Sequence, residues 1–348
     1  MIKKAKKLLK KLNNNLKTDY LRFLNLPIND RLVLVEGGQG SNINGNMFSM
    51  LKEIETNPRW AEYSTAFVVT EDTLVKAKER MSFYGFDNVT LLIRNSKNYC
   101  RALATAKYVM TDNSFPPYFQ KRDEQVFLNT WHGTPLKTLG KSDKSNLASL
   151  ANIQKNYLMS DYALFPNEFT RNVFMEDYEL KYIFKNKSII ANYPRNYVFY
   201  DKAQGCEMKS ALGLADKQVF AYMPTWRGTG RTADIQGQLD DTMSILREFD
   251  EKLSDSQVLL VNLHFLLAGQ IDCAEFKHIQ RFPLCYDTYE VLNACDGLIT
   301  DYSSVFFDYA VSERKIILFA YDREKYLNSR GVYMPFEELP FPIVETVD

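Results

Sequence analysis

The sequence predicts an α/β chain made of two halves, each a mostly parallel sheet covered by helices. Three observations predict it. Short apolar runs alternate with longer helix-like stretches from Pro27 onward. Turns with Gly or polar residues follow several of those runs, which is the rhythm of βα units. The chain is 348 residues long, too long for one ordinary core, and the rhythm breaks once, at Tyr193–Lys209.

The first set of runs is Leu32–Glu36, Ala66–Thr70, Val89–Ile93, Tyr108–Asp112, Val126–Trp131, Tyr162–Pro166 and Ser188–Asn192. The second is Val219–Pro224, Val258–Leu263, Gly297–Asp301 and Lys315–Ala320. Pro194 and the polar stretch Asp201–Lys209 separate them, so the domains are expected at 25–195 and 196–348. Two Rossmann-like domains facing a cleft is the natural assembly, with ligands outside the carboxyl ends of the strands. Pro340–Val344 reads as a strand or turn entry close to the end, so a closing helix is expected to be missing.

Residues 1–24 form a third part. Lys3, Lys4, Lys6, Lys7, Lys10 and Lys11 stand among Ile2, Ala5, Leu8, Leu9 and Leu12, apolar on one side and cationic on the other. This pattern is expected to dock on an anionic membrane surface, each cation there contributing about 1 kcal/mol. A leader helix packing on its own domain is the competing reading.

Composition narrows the function. Lys plus Arg equal Asp plus Glu at 43 each, so no general affinity for nucleic acid is expected. Five cysteines without a CxxC spacing argue against a disulfide framework or a zinc site. No apolar run is long enough to span a bilayer, and the N-terminus lacks a signal-peptide pattern. A cytoplasmic protein, peripheral on the membrane, is expected, with no metal and no tightly bound cofactor.

Three histidines simplify the search for chemistry. His132 ends an apolar strand in Trp131-His132-Gly133-Thr134-Pro135-Leu136-Lys137. Thr134 and Pro135 there suit an N-cap and a first helical position. An imidazole at a strand end suits a general base. His264 ends a second strand, but Phe265, Leu266 and Leu267 continue the apolar run, so a buried structural histidine is equally supported. His278 reads as surface. Arg227, in Tyr222-Met223-Pro224-Thr225-Trp226-Arg227, is a candidate phosphate clamp. Asp301-Tyr302-Ser303-Ser304 leads from a strand into an apolar helix, so Ser303 and Ser304 offer hydroxyls and amides to an anion. Asp301 would orient a partner, hold a sugar hydroxyl or shape the turn. Gly38 and Gly40, after the first strand, admit close approach of an acceptor, although the spacing is not a dinucleotide fingerprint.

The His132 and Ser303–Ser304 segments closely resemble two hallmark motifs of the CDP-glycerol glycerophosphotransferase family, the teichoic acid primases and polymerases. Tyr222–Arg227 and Asn192-Tyr193-Pro194-Arg195-Asn196 are similar to two more, in the same order. The resemblance implies a GT-B fold, with the nucleotide on the C-terminal domain and the acceptor on the N-terminal one, Lys137 included. It implies that His132 is the catalytic base and that His264 contacts the donor phosphates. It implies that Asp301, Ser303 and Ser304 form the donor-phosphate loop, which Arg227 borders. Where the family usually has a proline after the second histidine, this chain has Phe265.

The expected reaction moves glycerol phosphate from CDP-glycerol to a lipid-linked saccharide or polyol-phosphate acceptor at the inner membrane face, releasing CMP. CDP-ribitol as donor, a nucleotide-sugar glycosyltransferase and a non-catalytic membrane scaffold are the alternatives.

Overall fold

The computed structural model describes residues 16–143, 147–227, 235–324, 326 and 331–348, without the side chains of Phe265 and Leu266. Lys3, Lys4, Lys6, Lys7, Lys10 and Lys11 therefore lie outside the described residues. The chain divides into two compact units, 1–132 with 144–195, and 133–143 with 196–348.

The first unit holds seven strands: β1 (Asn29–Glu36), β2 (Ser64–Val69), β3 (Thr90–Ile93), β4 (Ala106–Thr111), β5 (Val126–Asn129), β6 (Tyr162–Phe165) and β7 (Lys187–Ile190). All pair in parallel, in the order β3-β2-β1-β4-β5-β6-β7. Both faces of β1 are buried. Val33 and Val35 enter a core with Met47, Phe48, Leu51 and Phe67. Leu34 enters another with Tyr99, Leu103, Val109 and Phe127. This is why its sequence is a continuous apolar run and not an alternation.

The later part of the expected leader joins this unit. Residues Leu16–Phe23 form a helix whose Tyr20 is buried and donates from its hydroxyl to Gln120 O at 2.7 Å. Leu16, Phe23 and Leu24 pack against the same core. For residues 16–24 the apolar side thus faces protein.

The second unit holds β8 (Gln218–Met223), β9 (Gln257–Val261), β10 (Ile279–Arg281), β11 (Gly297–Thr300), β12 (Lys315–Phe319) and β13 (Ile343–Val344). They too are parallel, in the order β10-β9-β8-β11-β12-β13. Val219, Ala221, Leu260, Leu292, Leu298, Phe306 and Leu318 build its core. β10 escapes the sequence pattern because only Ile279 of its three residues is buried.

His278, expected at the surface, is 8% exposed; its amide donates to Asp250 and its carbonyl accepts from Leu259 N. The polar stretch around it leads into β10, which buries the ring.

No helix starts at Thr134–Pro135. Leu136 is buried in the core of the second unit, and Lys137 pairs antiparallel with Val332. Thr138 N donates to Gly331 O, and Tyr333 N to Leu136 O. These long-range bonds outweigh a local capping pattern worth about 1 kcal/mol.

Each sheet runs outward from its first strand in both directions, so each has one point where the strand order reverses. In the first unit it lies between β1 and β4; in the second, between β8 and β11. Loops at such points open into a crevice that suits a ligand.

Candidate active site

In the first unit three adjacent strands deliver the candidate residues. The loop after β1 turns sharply, with φ of 51° at Gly38, 57° at Gln39 and 84° at Gly40. A Cβ on Gly38 would stand 2.7 Å from the Asn42 Cβ, so glycine is required there. Asp112 follows β4 and is 1% exposed; its Oδ1 accepts from Gly38 N at 2.7 Å. Burial pushes its pKa up to about 6, opposed by the Gly38 hydrogen bond and the Arg195 charge.

His132 follows β5 on a strained link. Trp131 has φ 54°, costly for a bulky residue. Several polar groups fix it: Trp131 N donates to Asn129 Oδ1, while the Trp131 carbonyl accepts from Asn46 Nδ2 and Thr130 Oγ1. Arg195 Nη2 donates to His132 O at 2.9 Å. The imidazole stacks on Trp131, centroids 4.0 Å apart, and keeps a face to solvent. Its Nδ1 lies 2.7 Å from Asp112 O. A carbonyl only accepts, so Nδ1 carries the proton and the lone pair sits on Nε2. The protein around the ring excludes much of the water and pushes its pKa below 6.5, toward about 4; the Asp112 carbonyl opposes this and Arg195 reinforces it.

In the second unit the loops after β8, β11 and β12 converge. Both Asp301 carboxylate oxygens accept from Thr225 N, and Asp301 Oδ1 also accepts from Tyr302 N. Arg227 Nη2 lies 2.7 Å from Asp301 Oδ2, while Nε and Nη2 donate to the two oxygens of Asp322. Nη1 donates to Thr225 O. Tyr302 and Tyr326 stack at 3.8 Å, with the guanidinium 5.0 and 5.2 Å from their ring centroids. Burial works against the Arg227 charge, but Asp301 and Asp322 outweigh it and raise its pKa.

Arg227 was expected as an open phosphate clamp. Its fork is instead already bidentate on Asp322, so it ties three strand ends together. The Asp301 carboxylate is taken up by the Thr225 and Tyr302 amides and by Arg227.

Ser303 and Ser304 stand half-buried ahead of the short helix Val305–Tyr309, and the Ser304 side chain caps no helix amide. His264 follows β9 and stacks on Trp226, centroids 4.7 Å apart. The two rings line a recess with Thr225, Arg227 and Tyr321, and burial lowers the His264 pKa.

Lys137, expected on the acceptor side, belongs to the second unit, where its ammonium lies 5.4 Å from the Tyr326 ring centroid. Gly38 and Gly40 stand as expected in the loop after β1.

Sequence reasoning missed Asp112, Asn46 and Asp322. Asp112 and Asp322 share the signal that marked Asp301, an acid just beyond an apolar strand. Asn46 had none, being one of several polar residues in the helix Gly45–Thr56. Among the described residues no group of three or more His, Cys, Asp or Glu is placed to hold a metal ion, and no helix is long and apolar enough to cross a membrane.

Residues 18–348 match the family described as CDP-Glycerol:Poly(glycerophosphate) glycerophosphotransferase. The chain is 30% identical over 337 residues to the teichoic acid poly(glycerol phosphate) polymerase of Bacillus spizizenii, covering 93% of this chain and 82% of that one. It is 33% identical over 277 residues to the teichoic acid glycerol-phosphate transferase of Staphylococcus aureus, covering 74% and 69%. In structure it is similar to the wall teichoic acid polymerase TagF, with a TM-score of 0.76 at 24% identity over 99% of this chain and 86% of that chain. That likeness supports the two-sheet α/β fold.

Proposed function

The chain belongs to the CDP-glycerol:poly(glycerophosphate) glycerophosphotransferase family, and on that premise we propose that it transfers glycerol phosphate from CDP-glycerol to a hydroxyl of a membrane-linked acceptor. His132 Nε2 takes the hydroxyl proton. The acceptor oxygen attacks the phosphorus that bears glycerol, a new P–O bond forms, and the P–O bond to CMP breaks. Phosphoryl transfer asks the protein for positioning and charge stabilisation above all. The units act as a GT-B pair, with the acceptor on the first, at Gly38 and Gly40, and the donor on the second. Ser303, Ser304 and His264 face the donor phosphates, and Asp301 and Arg227 hold that loop in shape. Lys3, Lys4, Lys6, Lys7, Lys10 and Lys11 hold the enzyme to the anionic inner face of the membrane, where a lipid-linked saccharide or polyol phosphate is the acceptor.

The observation that carries this reading is the 2.7 Å contact of His132 Nδ1 with the Asp112 carbonyl. It places the basic nitrogen on the other side of the ring, as a general base requires. The purified chain is incubated with CDP-glycerol or CDP-ribitol and a disaccharide-lipid acceptor, and CMP and product mass are measured. CMP together with one or more added glycerol phosphates supports the proposal. CMP only from CDP-ribitol moves the donor to ribitol. No CMP from either donor favours a glycosyltransferase or a scaffold.

A further inference from the structure

We propose that Asp112 is a positioning residue for the reaction, registering the glycine loop and the imidazole of His132 against each other. This rests on the reading of His132 as the base.

The geometry points there from two sides. The Asp112 carboxylate accepts from Gly38 N at 2.7 Å, and its carbonyl meets His132 Nδ1 at 2.7 Å. The next residue repeats the pattern. Asn113 Oδ1 accepts from Gln39 Nε2 at 3.3 Å, and Asn113 O accepts from Asn129 Nδ2 at 2.9 Å. Asn129 in turn holds Trp131 N. One turn after β4 thus grips the loop on its left and the histidine link on its right.

Both gripped segments need holding. Gly38, Gln39 and Gly40 carry three positive φ values in succession, and Trp131 carries another. For the non-glycine residues Gln39 and Trp131 such a conformation persists only where the surroundings over-determine it. Asp112 is 1% exposed, so its carboxylate acts without competition from water and at a desolvation cost. Burial raising its pKa to about 6 reflects that cost. Through the carboxylate the turn fixes where an acceptor lies, and through the carbonyl it fixes which nitrogen takes the proton. A misplacement near 1 Å costs on the order of 10²-fold in rate.

The test uses the full chain, ¹⁵N-labelled, whose three histidines make the imidazole spectrum simple to assign with His132→Gln. In the wild type His132 is expected as the Nδ1–H tautomer. Asp112→Ala keeps the backbone carbonyl, so it is expected to keep that tautomer while losing the grip on Gly38 N. Turnover per folded molecule is expected to fall about 10–100-fold in kcat, with KM for CDP-glycerol little changed. Asp112→Asn keeps an oxygen for Gly38 N and is expected to restore most of kcat. A wild-type Nε2–H tautomer overturns the proposal, and needs no variant to fold. So does an alanine variant with unchanged kcat, or an asparagine variant no better than alanine. Full turnover by His132→Ala would instead remove the base assignment and leave the tautomer result standing, so the two failures are distinct.

Discussion

The carbonyl oxygen of Asp112 and Nδ1 of His132 lie 2.7 Å apart, although 20 residues separate them in the chain. Parallel pairing of β4 with β5, in the register Thr111 to Asn129, sets the two strand ends side by side. A one-residue slip would turn the strand over and take the histidine away from its partner.

Burial of the His132 ring, which that contact opposes, governs the response to pH. The His132 pKa lies below 6.5, so the basic form persists as pH falls through 6.5. The acid limb of kcat/KM is expected between about 4 and 6.5, read from CMP release across pH. An acid limb well above 6.5 would contradict it. His132→Gln is expected to lower kcat about 10²–10⁴-fold while the unfolding midpoint stays near that of the wild type.

Asp112 predicts a stability trend of the opposite sign. Its pKa is raised on folding from 3.8 to about 6, so the folded state holds its proton more tightly. The stability it contributes is full below about pH 4 and is lost as pH rises through about 6. Asp112→Asn removes that loss and is expected to gain about 1–3 kcal/mol at pH 7.5, with the gain vanishing near pH 4. Urea unfolding at both values checks it; an equal effect at both would refute the sign.

Arg227 separates a strut from a ligand clamp. Arg227→Met would leave Asp301 and Asp322 without their cation, at a cost of about 3–5 kcal/mol. Arg227→Lys is expected to recover only part, because an ammonium lacks the fork that spans Asp322. Thermal unfolding without ligand reads this directly. Unchanged stability with weakened CDP-glycerol binding would return Arg227 to the clamp role.

Two glycines with similar φ make a matched comparison. Gly85 has φ 71° and nothing within 4 Å of an added Cβ, whereas Gly38 has φ 51° and the Asn42 Cβ at 2.7 Å. Gly85→Ala is expected to cost about 1 kcal/mol, and Gly38→Ala about 1–3 kcal/mol more. Equal losses in denaturant unfolding would mean that the loop yields.

The parallel sheets were legible because their strands are buried on both faces and read as apolar runs. His132 was legible for the same reason, standing where such a run ends. What escaped depended on distant partners. Thr134-Pro135 has the local chemistry of a helix start, yet the burial of Leu136 and the pairing of Lys137 with Val332 decide its path. Arg227 has the chemistry of a phosphate ligand, and only the fold shows that Asp322, 95 residues on, already fills its fork. Asp112 looked like the last residue of a strand, because its role is set by loops from two neighbouring strands.

The grouping of residues 133–143 with 196–348 has a consequence for the chain as a modular object. The second unit is not contiguous, so a cut at Arg195 yields no intact half. The downstream fragment would lack Leu136 from its core and the partner of Val332. During synthesis this short segment emerges well before the sheet that receives it. Any exchange of the second unit between relatives, by recombination or by design, must therefore carry a passage from the middle of the first, starting at the residue after His132.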